Sequence, residues 1–564
     1  MKFEQLQYQR PDMATFKSEF EYLLRSFSTA QSFAAQDEAM TALNSLRSEY
    51  ESMMVLAQIR HTINTEDSFY KDEQDYSDQT EPVYLELVSG YYRALLGATH
   101  RKELEEKWGS QLFRIAELAQ KTISPGVIND LQKENALASE YTKLIAAASI
   151  NFAGEERNLE QLIPFQLSPH RLTRKEAHEA RYGFLSSNEE ELDRIYDELV
   201  RVRTTIARKL GFNNFVELAY MRLNRSDYNA AMVAGFRQQV LDFIVPLASS
   251  LKARQRTRIG VDTLHYYDNN FYFKTGNARP QGPPDWIVNQ GARMYSELSP
   301  ETGAFFTYMN EKGLMDLVSK KGKAAGGYCN YIAKHQAPFI FSNFNGTSGD
   351  VDVLTHEAGH AFQLYQSRHL TLPEYSFPTY EACEIHSMSM ELFAWPWMEL
   401  FFGPGAGKYK FFHLSDSLFY VAYEAAVDEF QHLVYNDHEA TPAQRKKFWR
   451  ETEKKYLPHL NYEDSDYLEK GGYWQQQSHI YKSPFYYIDY ALAQICAFQF
   501  WKRYDECRNS AWSDYLKLCR AGGSLSFVEL IKLSGLISPF EPGCVKAVAG
   551  QIAQWLDGFD DSGL

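Results

Sequence analysis

Apolar side chains that return every three or four residues dominate this chain and commit most of it to helices. Phe16, Phe20, Leu23, Leu24 and Phe27 form one such stripe, in an amphipathic segment read as running from Met13 to Arg60. Pro82 to Leu96 and Arg101 to Ala119 repeat the pattern, with a polar bridge between them. Pro125 follows Ser124 and can open another helix, because a first-turn proline forfeits no hydrogen bond. Asn188 to Leu210 reads as a further helix, closed by Gly211. No repeat period emerges, so a solenoid is not supported. The pattern changes near residue 260. Thr275 to Pro284 is a loop dense in Gly and Pro, and Gly326–Tyr331 and Ala337–Phe344 alternate as a small antiparallel strand pair should. Helices resume near residue 350. With no flexible linker in sight, the expected fold is mainly α, one continuous body in two lobes. An N-terminal helical lobe covers residues 1–185 and a catalytic region 186–564, with the small antiparallel sheet beside the helix that begins near 350.

Charge and composition remove several classes of function. The 564 residues carry 58 basic and 73 acidic side chains, a net charge of −15, which is the wrong sign for nucleic acid. An apolar fraction of 44% and an aromatic fraction of 15% exclude disorder. No stretch approaches the roughly 18 uninterrupted apolar residues of a membrane span, and Met1–Gln5 starts no apolar leader. Cys329, Cys383, Cys496, Cys507, Cys519 and Cys544 lack CxxC spacing, so reduced buried thiols and a cytoplasmic location are expected. Gly403–Lys408 imitates a phosphate loop, but Phe402 stands where its first Gly belongs and Tyr409 where its Ser or Thr belongs. It reads as a loop between helices.

The strongest chemical signal is Thr355-His356-Glu357-Ala358-Gly359-His360. Two His at i and i+4 on a helix point the same way and can share one tetrahedral metal. Glu357, beside the first of them, can take a proton from a metal-activated water. Val351, Val353, Leu354, Ala361, Phe362 and Leu364 bury this helix, where two His and a Glu without a ligand would be costly. A zinc hydrolase needs a third protein ligand and an open position. Gln363 and Gln366 stand where the metzincin pattern needs Gly and His, so a carboxylate on a neighbouring helix is expected instead. Glu374, Glu381, Glu384 and Glu391 all qualify. Pro378 is read as a first-turn residue of a helix running to Trp395, on which Glu384 and Glu391 share a face. Spacing alone does not choose among them.

Together with Tyr380–Glu391, this helix resembles the M3 family of zinc oligopeptidases. Ser478–Ala491 is similar to the His-to-Tyr loop of that family's oligoendopeptidase F branch, which includes the Pz-peptidases, and Leu210–Phe215 with Arg225–Tyr228 to its central region. The resemblance implies that His356, His360 and Glu384 bind one Zn2+ per chain, with Glu391 orienting a ligand. It implies Glu357 as general base, and His479, Tyr487 and Tyr490 as donors to the oxyanion, with Tyr486 an alternative to Tyr487. It also implies a deep channel with the zinc at its floor, open to oligopeptides and closed to folded proteins. The expected activity is internal cleavage of short peptides, with tolerance of Pro and Gly that extends to collagen-derived ones. A dipeptidyl carboxypeptidase on the same zinc site is the alternative, and a zinc-containing peptide-binding protein without turnover a weaker one. Phe339–Asn343 is a candidate strand for pairing with the substrate backbone.

Overall fold

The stripe that begins at Phe16 is carried by two helices. In the computed structural model, which describes residues 1–320, 322–324 and 326–561, Met13–Thr29 and Phe33–Ile63 are separate. Each has its own N-cap: the Asp12 side chain accepts from the Thr15 amide, and the Ser32 side chain from the Ala35 amide. Capping also moves the next boundary. Asp67 accepts from the amides of Phe69 and Tyr70, so the helix expected at 82 already starts at Ser68 and runs to Leu96. The expected helix 101–119 is split at Gly109, whose φ of +88° only glycine adopts without strain, into Arg101–Trp108 and Ser110–Thr122. Pro125 does open a turn leading into Ile128–Ala146. Glu189–Lys209 ends as expected, with Gly211 at φ +87° and the Phe212 amide bonded back to the Ala207 carbonyl.

The sheet differs from the antiparallel pair expected. Tyr328–Ile332 and Ala337–Phe344 do pair antiparallel, with Asn330 opposite Phe339. A third strand, Met315–Val318, lies parallel on the other edge of Ala337–Phe344, with Met315 opposite Ile340. Only four residues long and remote from any hairpin signal, it has no pattern to betray it. This order places Ala337–Phe344 in the middle. Within Phe339–Asn343, Ile340 and Phe341 are therefore paired on both sides and closed to a substrate strand, and the two edges belong to Met315–Val318 and Tyr328–Ile332. A second sheet, also unanticipated, pairs Ile150–Phe152 with Glu155–Arg157 around Ala153 and Gly154, both at positive φ.

Helices make up most of the remainder, and the fold is mainly α. One large hydrophobic core reaches from Phe3 to Leu556, and a second, built from Phe16 to Ala116, adds Leu372 and Tyr375. None of the described helices is long and apolar enough to cross a membrane.

Candidate metal centre

A missing side chain sets the centre's geometry. Gly359 lies midway along the helix Gly349–Ser367, which carries both histidines and crosses the acidic helix Tyr380–Phe393. A Cβ at Gly359 would stand 2.6 Å from the Ser387 Cα and 2.7 Å from the His386 carbonyl oxygen, so the two backbones touch there. Glu384 lies one turn before Ser387 and is thereby delivered to the two imidazoles. Its Oε2 is 3.3 Å from His356 Nε2 and 3.5 Å from His360 Nε2. The donor atoms of His356, His360 and Glu384 lie within 4.8 Å of one another. The acidic helix starts two residues later than expected, with Thr379 as N-cap and Pro378 outside it, and Pro396 ends it in a short turn.

The other candidate carboxylates lie outside this donor set. Glu374 is bound by Arg47 at 2.7 Å and by the Tyr92 hydroxyl at 2.8 Å. Glu381 is buried among Asp489 and Arg225, and burial with the Asp489 charge pushes its carboxyl up. Glu391 accepts from His356 Nδ1 at 2.6 Å and from His413 Nε2 at 2.7 Å. The Trp395 indole N–H, which can only donate, bonds His413 Nδ1 at 3.1 Å. His413 must therefore give its Nε2 proton to Glu391. Burial works against ionisation of Glu391, but the two histidine bonds hold its carboxyl down at about 2. Glu391 in turn fixes the Nδ1 proton of His356, whose Nε2 faces Glu384.

Glu357 is buried beside these donors, its carboxyl raised by that burial, and its Oε2 has no hydrogen-bond partner. It shares a cavity of about 540 Å³ with His356, His360 and Glu384, and the edge-strand residues Tyr328 and Cys329 form part of the wall. Two imidazole nitrogens and one carboxylate oxygen suit a zinc ion.

The loop that follows Ser478 closes the site. Tyr486 donates to Glu384 Oε1 at 2.7 Å, and Ser387 Oγ to Glu384 Oε2 at 3.0 Å. Tyr486 thus contacts the carboxylate, whereas Tyr487 is 8% exposed and lies edge-on to Tyr423 in the wall of an inner cavity. Tyr490 borders both cavities. The His479 ring packs against Tyr486, Tyr487 and Tyr490 at centroid distances of 5.6, 5.0 and 5.9 Å. Gln477 Nε2 donates to His479 Nδ1 at 2.8 Å, so Nε2 carries the proton, and burial lowers the imidazole to about 4 and keeps it neutral. Phe485, at φ +67°, supports the turn into Tyr486. Its amide donates to Gln431 Oε1 and its carbonyl accepts from Arg225, which also pairs with buried Asp489 at 2.6 Å. Sequence reasoning missed Gln477, His413 and the bracing part played by Arg225. Only the Arg225–Tyr228 stretch, already singled out, carried a hint.

The description of peptidase family M3 matches residues 305–549, and that of the M3 N-terminal domain matches residues 3–123. An X-ray structure provisionally called an oligoendopeptidase F is 62% identical over 100% of both chains, with a TM-score of 0.97. The chain belongs to peptidase family M3. Its resemblance to a second solved member, PZ peptidase A with an inhibitor, is as complete, at 59% identity over 100% of both chains and a TM-score of 0.97. An oligoendopeptidase F homolog of Borreliella burgdorferi is more distant. It is 26% identical over 251 residues, and the match covers 42% of this chain and 41% of that protein's length.

Proposed function

We propose that this M3 family chain is a zinc-dependent endopeptidase that hydrolyses short oligopeptides inside the cell. One observation carries the reading: the donor atoms of His356, His360 and Glu384 converge beside the unpartnered Oε2 of Glu357. Those three residues would hold one zinc, with Glu391 orienting His356. When bound, the metal supplies a Lewis acid that polarises the scissile carbonyl and makes an attacking water more acidic. Glu357 takes the water's proton and returns it to the departing amine. His479, neutral and protonated at Nε2, and Tyr490 donate to the carbonyl oxygen as charge builds there. Tyr486 steadies Glu384, and Tyr487 shapes the inner wall.

Further support concerns substrate and location. The 59% identical relative named PZ peptidase A favours extending the substrate range to Pro- and Gly-containing peptides, collagen fragments among them. A narrow channel over the zinc would exclude folded proteins. All six cysteines are free, which favours a reducing cytoplasm.

The test is mass spectrometry of a peptide pool of about 5 to 20 residues, digested with zinc, with a chelator, and with zinc restored. Internal cuts that vanish with chelation and with Glu357→Gln are expected. Uniform release of two C-terminal residues would replace this reading with a dipeptidyl carboxypeptidase. No cleavage by the zinc-loaded protein would refute it.

A further inference from the structure

The inner cavity beside His479 adjoins another, about 440 Å³ in volume, that the reaction chemistry does not use. Asp416, Tyr420 and Tyr487 line both. The ring contacts His479–Tyr487 at 5.0 Å, Tyr487–Tyr423 at 5.7 Å and Tyr423–Tyr473 at 6.0 Å lead from the one into the other. An extended peptide advances about 3.3–3.6 Å per residue, so one that follows this row of rings reaches the far cavity.

Two basic side chains line its walls, Lys252, which feels the Asp416 charge, and Arg181, in a chain with a net charge of −15. Lys252 is 4% exposed. Its Nζ donates to Gln255 Oε1 at 3.0 Å and to the Asn269 carbonyl at 2.8 Å and lies 3.9 Å from the Phe419 ring centroid, and burial lowers it to about 7 against the pull of the Asp416 charge. Arg181 bonds Gln476 Oε1 at 3.2 Å and the Leu159 carbonyl at 3.5 Å, and neither cation forms an ion pair among the described residues. His178 is 8% exposed, and neither of its ring nitrogens has a partner. Burial holds its imidazole near 3, so it is neutral at physiological pH, with a donor and an acceptor both idle. Asp416 is the one carboxylate on these walls, and it stands where the two cavities meet and accepts from the Tyr272 hydroxyl at 2.9 Å.

A buried ammonium offset in part by Asp416 and an unsatisfied buried imidazole are both costly, and one further anionic acceptor would answer both. A carboxylate has the capacity: two oxygens, with about four lone-pair sites, in a cavity that Lys252, Arg181 and His178 all line. We propose that this cavity seats a carboxylate of the bound peptide, its C-terminus or an acidic side chain, at a set distance from the metal centre. The inference rests on the peptidase reading for its choice of ligand, but it concerns binding and not turnover.

Calorimetric titration of zinc-loaded Glu357→Gln protein tests it. One peptide of about eight residues with a single internal Glu is compared as free acid, as C-terminal amide, and as free acid with that Glu replaced by Gln. We expect at least tenfold weaker binding for one of the two altered peptides. Loss on amidation assigns the C-terminus, and loss on the Glu-to-Gln change assigns the side chain. Adding Arg181→Gln or Lys252→Met should remove most of the difference. Should Lys252→Met fail to fold, as melting would reveal, Arg181→Gln decides alone. Equal affinity for all three peptides, or a preference that survives these substitutions, overturns the proposal. Tight acid-dependent binding by a parent protein that cleaves nothing would instead refute the hydrolytic reading and leave this one standing.

Discussion

Gln477 determines which nitrogen His479 presents to the site. Its Oε1 accepts from the Tyr423 hydroxyl at 3.2 Å, which fixes the amide so that Nε2 donates to His479 Nδ1. A neutral imidazole so held offers its Nε2 proton and nothing else. His479→Phe is therefore expected to lower kcat by about 10²- to 10³-fold with little change in KM, as loss of one oxyanion donor does. Gln477→Leu removes only the orienting bond and should lower kcat by a smaller factor, again with KM nearly constant. Steady-state kinetics on one internally quenched peptide measures both, and equal activity for His479→Phe and the parent would remove His479 from the reaction. At this scale the two histidines and Glu357 were legible, because their spacing is itself the chemistry. Glu384 was legible only through family resemblance, since four carboxylates fitted the local pattern equally well. Gln477 left no trace, because a glutamine two residues before a histidine has no spacing that distinguishes it from any other loop amide.

The crossing at Gly359 shows how two elements together make a site that neither holds alone. A methyl there would fall 2.6 to 3.0 Å from the Ser387 Cα, the His386 carbonyl oxygen and the Ser387 amide nitrogen, all backbone atoms that cannot rotate aside. Gly359→Ala must push the helices apart, even though alanine is the better helix former in isolation. The expected cost is about 1–3 kcal/mol of stability, as overpacking usually incurs. Zinc affinity should fall with it, because Glu384 reaches the imidazoles only across this contact. Chemical denaturation and a zinc titration measure the two effects, and a variant as stable and as zinc-avid as the parent would refute the argument. Helices were the legible elements, because a stripe repeated over many residues averages out local accidents. Their ends were less so: Asp67 and Gly109 reset boundaries through one side-chain cap and one backbone angle. The parallel strand Met315–Val318 escaped because its partner lies more than twenty residues downstream and no turn announces it. That strand covers one side of Ala337–Phe344 and becomes an edge of the sheet, with Tyr328–Ile332 the other.

Across the whole molecule, the segment between the helices of His360 and Glu384 also anchors the N-terminal helices. Leu372 and Tyr375 belong to the core built from Phe16 to Ala116, and the Tyr375 hydroxyl donates to the Trp108 carbonyl at 2.7 Å and accepts from the Leu112 amide. At the centre of this contact Arg47 meets Glu374 at 2.7 Å, the side chains 4% and 3% exposed. The pair spans more than three hundred positions of sequence, and that is why residue type alone could make Glu374 a candidate ligand. Arg47→Met keeps the packing volume but leaves a buried carboxylate with only the Tyr92 hydroxyl. Breaking such a pair from one side typically costs about 3–5 kcal/mol, because the stranded charge has lost both water and partner. Tyr92→Phe removes one hydrogen bond and leaves the pair intact, so about 1 kcal/mol is expected. Urea unfolding followed by tryptophan fluorescence compares them. If the contact couples the two cores, Arg47→Met lowers the midpoint well below that of Tyr92→Phe and weakens zinc binding as well, because the same short segment carries Glu374 and leads into the helix of Glu384. Equal midpoints for the two variants would show instead that the N-terminal core is held by its apolar contacts, with the ion pair incidental.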